Sequence, residues 1–156
     1  MKYLEFRAYD FKGKTLIYDR DLWLPKELKK LGHKEHPVTI SQEGIHYTLD
    51  CLSNHYENDW EEDVVAIHNI QIMQCTHLFD FGESKKKMYC NDIISFYPSR
   101  QLDDLGAQKM IGRIQFSAQT GNWVIVDHEE QFLSELSLAE QPKVIGNWYD
   151  NPELLG

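Results

Sequence analysis

Residues 3–9 read YLEFRAY, and their apolar positions alternate. Leu4, Phe6 and Ala8 fall on one face of an extended chain, with Tyr3, Glu5, Arg7 and Tyr9 on the other. Asp10, Lys12, Gly13 and Lys14 then supply turn chemistry, and Thr15–Tyr18 is a returning β-prone run, so a hairpin is expected. The pattern changes in DLWLPKELKKLGHKEH. Leu28 and Leu31 are three apart, Pro25 suits a first helical position and Gly32 a stop, which predicts a short helix between Pro25 and Leu31. VTISQEGIHYTLDCLS holds β-prone runs on either side of Gln42-Glu43-Gly44, a further hairpin signal. Asn54–Asp63 is polar and acidic and reads as a loop or linker, with Trp60 anchoring it or packing across a seam.

Val64–Cys75 returns to β-prone sequence, and Gly82-Glu83-Ser84 marks a turn before the basic Lys85–Lys87. From Asn91 the signal is regular. DIISFY is a strand, SRQLDDLGAQKM a polar loop, and IGRIQFS and NWVIVD are strands joined through Ala118-Gln119-Thr120-Gly121. HEEQFLSELSLAEQ is open between a short helix and a strand with a turn: Leu133 and Leu136 favour the helix, while Phe132, Ser134 and Leu136 also alternate. KVIGNWY reads as a last strand. Asn151-Pro152-Glu153 then reads as cap, first position and acidic first turn of one helical turn. Short strands at hairpin spacing with few helical insertions point to a mainly β chain and a small barrel; an open antiparallel sheet packed on one helix is the alternative.

Composition narrows the partners. The chain has 156 residues and a formal net charge of −9, which disfavours a nucleic-acid backbone or an anionic membrane surface. Apolar residues at 42% are enough for a core, yet no apolar run reaches membrane-spanning length. MKYLEFRAYD lacks the apolar block of a signal peptide, so a cytoplasmic location is expected. Cys51, Cys75 and Cys90 contain no Cys-x-x-Cys pair and read as reduced, buried small hydrophobes.

Chemistry is harder to find. His33 and His36 are three apart, but Gly32 and Pro37 argue against a helix there; His46, His55, His68, His77 and His128 are scattered. Cys75 and His77 would share a strand face, which alone is a weak metal signal. No nucleophile elbow, phosphate loop or dinucleotide fingerprint occurs, and Asp103-Asp104 and Glu129-Glu130 are adjacent charges that would face opposite ways on a strand. No catalytic residue, cofactor or metal is therefore assigned, and the chain is expected not to be an enzyme; a metal-dependent hydrolase is the remote alternative. Tyr89, Phe96, Tyr97, Phe116, Trp123, Trp148 and Tyr149 crowd the second half, where they either fill the core or present a stacking surface for bases or peptides. Lys85–Lys87, Arg100, Lys109 and Arg113 are the basic residues available to such a surface.

EFRAYDFKGKTLIYD (Glu5–Asp19), IMQCTHLFDFGESKKKMYCNDIISF (Ile72–Phe96) and KVIGNWYDNPELLG (Lys143–Gly156), in that order, resemble the YopX family of phage and prophage proteins. IGRIQFSAQTGNWVIVD is similar to that family's central hairpin, while Asp21–Asn69 is read from composition only. The middle block departs from the family pattern: His77 stands where a Gly usually follows the Thr, Asn91 stands where a Gly precedes the Asp-Ile pair, and the stretch from Asp80 to Asp92 is longer. Asn tolerates a left-handed backbone, so the turn at Asn91 is expected to survive. The resemblance implies an SH3-like β-barrel in the C-terminal half and brings no established enzymatic activity and no catalytic residues.

The sequence is thus read as a mainly β protein with one or two short helices: an N-terminal β-rich region over residues 1–70 and an SH3-like barrel over 71–156. A non-enzymatic binding or assembly module is expected, with a protein partner or self-association as a homo-oligomer. Tyr97, Trp123 and Trp148 are its candidate contacts on the barrel rim. The alternative is a nucleic-acid-linked role, as a single-strand binder or as an acidic mimic acting on a host DNA-binding protein.

Overall fold

A computed structural model describes residues 4–23, 29–30, 32, 34–41, 44–46, 70–98 and 108–156. The chain divides into two compact units, Met1–Met73 and Gln74–Gly156. Their described elements are almost entirely antiparallel strands.

In the first unit β1 (Phe6–Asp10) pairs with β2 (Thr15–Tyr18), with Arg7 opposite Tyr18 and Asp10 opposite Thr15. The turn between them is built by Asp10, whose Oδ1 accepts the Lys12 N–H at 2.9 Å. A Cβ on Gly13 would stand 2.5 Å from the other Asp10 oxygen, so this carboxylate and a side chain at position 13 cannot share the turn. Phe6 and Ala8 enter a core with Ile17, Val38, Ile40 and Ile45, on which Trp23, Ile70 and Ile72 pack. The other β1 face is covered too, since Arg7 and Tyr9 are also buried. Alternation placed Phe6 and Ala8 inward correctly, but Leu4, read on the same face, precedes β1 and is exposed, and alternation gave no sign that both faces are covered. β3 (Leu22–Trp23) pairs with β4 (His36–Pro37), and β5 (Thr39–Ser41) with β6 (Gly44–His46), the hairpin expected around Gln42-Glu43-Gly44. The helix expected over Pro25–Leu31 falls mostly outside the described residues, of which Lys29 and Lys30 are helical. The acidic loop Asn54–Asp63 lies outside them altogether.

β7 (Ile70–Phe79) begins in the first unit and continues into the second, where it pairs with β8 (Lys87–Tyr89). It is irregular between Cys75 and Phe79, and His77, at the position where the family pattern has Gly, takes a left-handed φ of 61°. The following loop is held by buried Asp80. Its carboxylate accepts the N–H groups of Lys86 at 2.8 Å, Gly82 at 3.3 Å and Val144 at 3.2 Å.

The second unit is a five-stranded antiparallel sheet in the order β12-β11-β10-β9-β13: β9 (Asp92–Tyr97), β10 (Met110–Ser117), β11 (Asn122–Val126), β12 (Phe132–Glu135) and β13 (Glu140–Asn147). The segment left open between helix and strand resolves into β12 followed by a 3-10 turn, Leu136–Leu138. Pairing of Val124, Ile125 and Val126 with this segment decides the outcome that local periodicity left balanced. Its core is Met88, Ile94, Phe96, Ile114, Ile125 and Leu136, with Met110, Trp123, Leu133, Ala139 and Val144 packed against it. Gly112 lies where a Cβ would collide with the side chains of Ile125 and Leu133 and the Val126 carbonyl, so the packing over β10 at this point requires glycine. Among the described residues no helix is long and apolar enough to cross a membrane.

Candidate functional site

The side of the five-stranded sheet opposite this core is organised by Arg113. Alternation along β10 sends Ile114 into the core and Arg113 to the other face, opposite Val126 of β11 and Ile93 of β9. Arg113 is buried, with 9% of its side chain exposed. Its guanidinium lies over the Trp148 ring at 4.6 Å from the centroid, a cation–π arrangement. Nη2 donates to Glu130 Oε1 at 2.9 Å, while Nε is fully buried with no hydrogen-bond partner. Glu130 comes from the β11–β12 turn, has a left-handed φ of 61°, and is 69% exposed in its side chain. One solvent-facing carboxylate thus meets one edge of a buried cation.

Trp148 is brought there by the turn that follows β13. Asn147 is buried and closes that turn: its Oδ1 accepts the N–H groups of Tyr149 at 3.0 Å and Asp150 at 3.1 Å, and its Nδ2 donates to Asp150 Oδ2 at 2.8 Å. Asn151 folds back so that its Oδ1 would stand 2.6 Å from a Cβ on Gly146. Pro152–Leu155 forms a 3-10 turn with Pro at its start, which packs on β10. Asn151 was expected as a side-chain cap, but its side chain makes no cap bond; its carbonyl accepts the Leu154 N–H at 3.1 Å and its Oδ1 accepts the Asn147 N–H at 3.4 Å.

Asn91 ties this turn to the sheet. It has the left-handed backbone expected of it, φ 66°. Its N–H donates to Ile114 O at 2.8 Å, its carbonyl accepts the Trp148 N–H at 2.9 Å, and its Nδ2 donates to Tyr149 Oη at 2.9 Å. Burial pushes the Tyr149 hydroxyl up to about 12, with the charge of Cys90 adding to the rise and Arg113 opposing it. Burial likewise raises the Cys90 thiol above its usual range, with Arg113 and the backbone N–H groups of Asn91 and Phe116 pulling the other way. Both groups therefore stay protonated near neutral pH. A protonated thiol is a poor nucleophile, and a protonated phenol serves as a hydrogen-bonding group.

The three aromatic candidates do not form one surface. Trp148 lies beneath Arg113. Tyr97 is at the far end of β9, opposite Glu140, with the Lys109 ammonium 5.8 Å from its ring centroid. Asp92, next to the Trp148 turn, is about 16 Å from it along the strand at ~3.3 Å per residue. Trp123 packs on the core, edge-to-face with Phe116 at 5.2 Å between centroids. Sequence reasoning counted Arg113 only as a basic residue and Glu130 only as a loop charge. The available signal was a charged residue at the centre of the apolar strand IGRIQFS. Of the metal candidates, Cys75 is buried on β7, and the nearby His77 backbone N–H approaches its Sγ at 3.3 Å. His128 is exposed beside Glu129 at 3.7 Å, and His33, His55 and His68 lie outside the described residues.

These strands and this tail define a mainly β protein whose final 3-10 turn packs on a five-stranded sheet. The profile of the YopX family, described as YopX protein, matches residues 5–156, and the chain belongs to that family. Among solved structures it is similar to the crystal structure of protein EF1440 from Enterococcus faecalis, with a TM-score of 0.51, 18% identity and 100% of each chain covered. That likeness concerns the fold. A search of curated proteins finds no match to the chain.

Proposed function

We propose that the chain is a non-enzymatic binding or assembly module, phage- or prophage-derived and cytoplasmic, whose partner is another protein or a further copy of itself. The observation that carries this reading is the exposure of four phenylalanines of the second unit: Phe79, Phe81, Phe116 and Phe132 are 55%, 69%, 55% and 63% exposed. Large apolar side chains left in water in such number favour a surface that is covered on binding. The net charge of −9 weighs against nucleic acid. A meander whose last strand, β13, returns to pair with its first, β9, supports the finer reading of the second unit as an SH3-like barrel.

The test is affinity capture of the tagged chain from bacterial cytosol with quantitative mass spectrometry, alongside light scattering of the purified protein. Wild type should enrich a specific protein or scatter as an assembly heavier than 18.4 kDa. Phe81→Asp with Phe132→Asp should lose that signal at unchanged circular dichroism. A wild type that stays monomeric and captures the same proteins as the doubly substituted chain contradicts the reading.

A further inference from the structure

A guanidinium offers five N–H donors in a planar fork. Arg113, with most of its side chain out of water, makes a single hydrogen bond among the described residues, Nη2 to Glu130, and its buried Nε–H has none. Buried cationic groups are ordinarily hydrogen-bonded on every accessible donor, because an unsatisfied one keeps its desolvation cost. Nε–H and Nη2–H point along the same edge of the fork, and a carboxylate approaching side-on takes both. Glu130 takes only Nη2. It reaches in from an exposed turn on a left-handed backbone, which sparsely suits a non-glycine residue.

We infer that Arg113 is a carboxylate-recognition subsite, that Glu130 occupies it as a weak intramolecular stand-in, and that an acidic side chain of a protein partner displaces Glu130 to pair side-on with Arg113. The neighbourhood favours a protein carboxylate. Arg113 is opposite Val126, and Val126 is opposite Phe132, so the exposed Phe132 shares its face two strands away, about 10 Å. In an extended partner segment an acidic and an apolar residue two positions apart share a face with backbones about 7 Å apart, and their side chains reach both sites. Asp127 and Glu129 in the adjoining turn repel any incoming anion, most strongly one with several charges, so the apolar neighbour Phe132 is what favours a protein segment. Trp148 stacked on the guanidinium keeps the fork in place when Glu130 leaves, so its orientation is already set for the incoming group.

This inference rests on the binding-module reading and deepens it. The test uses the full chain, wild type and Glu130→Gln, with heteronuclear NMR of the Arg113 Nε–H and Trp148 indole N–H resonances. Sodium acetate should move both in Glu130→Gln in a saturable way, while sodium chloride at the same ionic strength does not. Wild type should need on the order of 10-fold more acetate, because Glu130 competes. A blocked Glu-Ala-Leu tripeptide should bind more tightly than acetate, and the matching Gln-Ala-Leu tripeptide should not bind. Equal responses to acetate and chloride, no gain in Glu130→Gln, or inorganic phosphate outcompeting acetate would each overturn the inference. The readout needs no substitution of Arg113, so misfolding caused by such a substitution cannot obscure it. If affinity capture fails while the acetate response holds, the partner reading falls and the subsite stands; if the acetate response fails, only the subsite falls.

Discussion

Two residues in left-handed conformations show how local backbone chemistry shapes the second unit. His77 and Asn91 both have positive φ, 61° and 66°. Asn bears this at little cost and puts its side chain to use on Tyr149 Oη. His77 carries a larger side chain in the same region, where a non-glycine residue is strained. His77→Gly should therefore stabilise the protein by about 0.5–1 kcal/mol in urea unfolding, the relief of strain exceeding the added freedom of the unfolded chain. Tyr149 gives a pH signature. Its folded pKa is raised to about 12, so its contribution to stability is fully present below the ordinary tyrosine value and is lost as pH rises through about 12. Wild type should lose stability more steeply than Tyr149→Phe between about pH 10 and 12, as followed by circular dichroism. At this scale the sequence was informative about Asn91, since Asn in place of Gly signals a left-handed position. It was uninformative about Arg113, whose environment is made by Trp148 and Glu130, residues far from it in sequence.

At the scale of elements, strands were legible wherever turn residues bounded an apolar run. DIISFY is β9 residue for residue, and the Ala118–Gly121 turn joins β10 to β11 as its composition suggests. The ambiguous Phe132–Leu138 segment could not be settled locally, because the deciding contribution is its pairing with β11. The tail was legible as a strand followed by one helical turn, although the cap expected of Asn151 is not made, its Oδ1 accepting the Asn147 N–H instead. Gly146 leaves room for Asn151, Asn147 ties the turn, and Trp148 meets Arg113. What the sequence could not convey is the destination of the tail, the face of the sheet opposite the core. Removing residues 147–156 should strip Arg113 of its aromatic cover and β10 of its 3-10 turn. Such a chain should be insoluble, or should lose its cooperative thermal transition; a truncated protein that melts like the full chain would contradict this role for the tail.

For the whole molecule, two β-rich units with separate cores follow from two clusters of alternating strands, and the family was legible from blocks in both. Function was less legible because it depends on which surface a partner covers, and exposed Phe81 and Phe132 have the same sequence signature as core phenylalanines. The Arg113 surface exists only if the tail turns back and places Trp148 on the guanidinium. The most direct measurement is the exchange rate and chemical shift of the Arg113 Nε–H by heteronuclear NMR, compared with Arg20, whose side chain is 90% exposed. The expected result is an Arg113 resonance displaced by the indole ring current and exchanging far more slowly than that of Arg20, with both properties lost in Trp148→Ala. An Arg113 Nε–H that exchanges as fast as that of Arg20, at an unshifted position, would contradict the account.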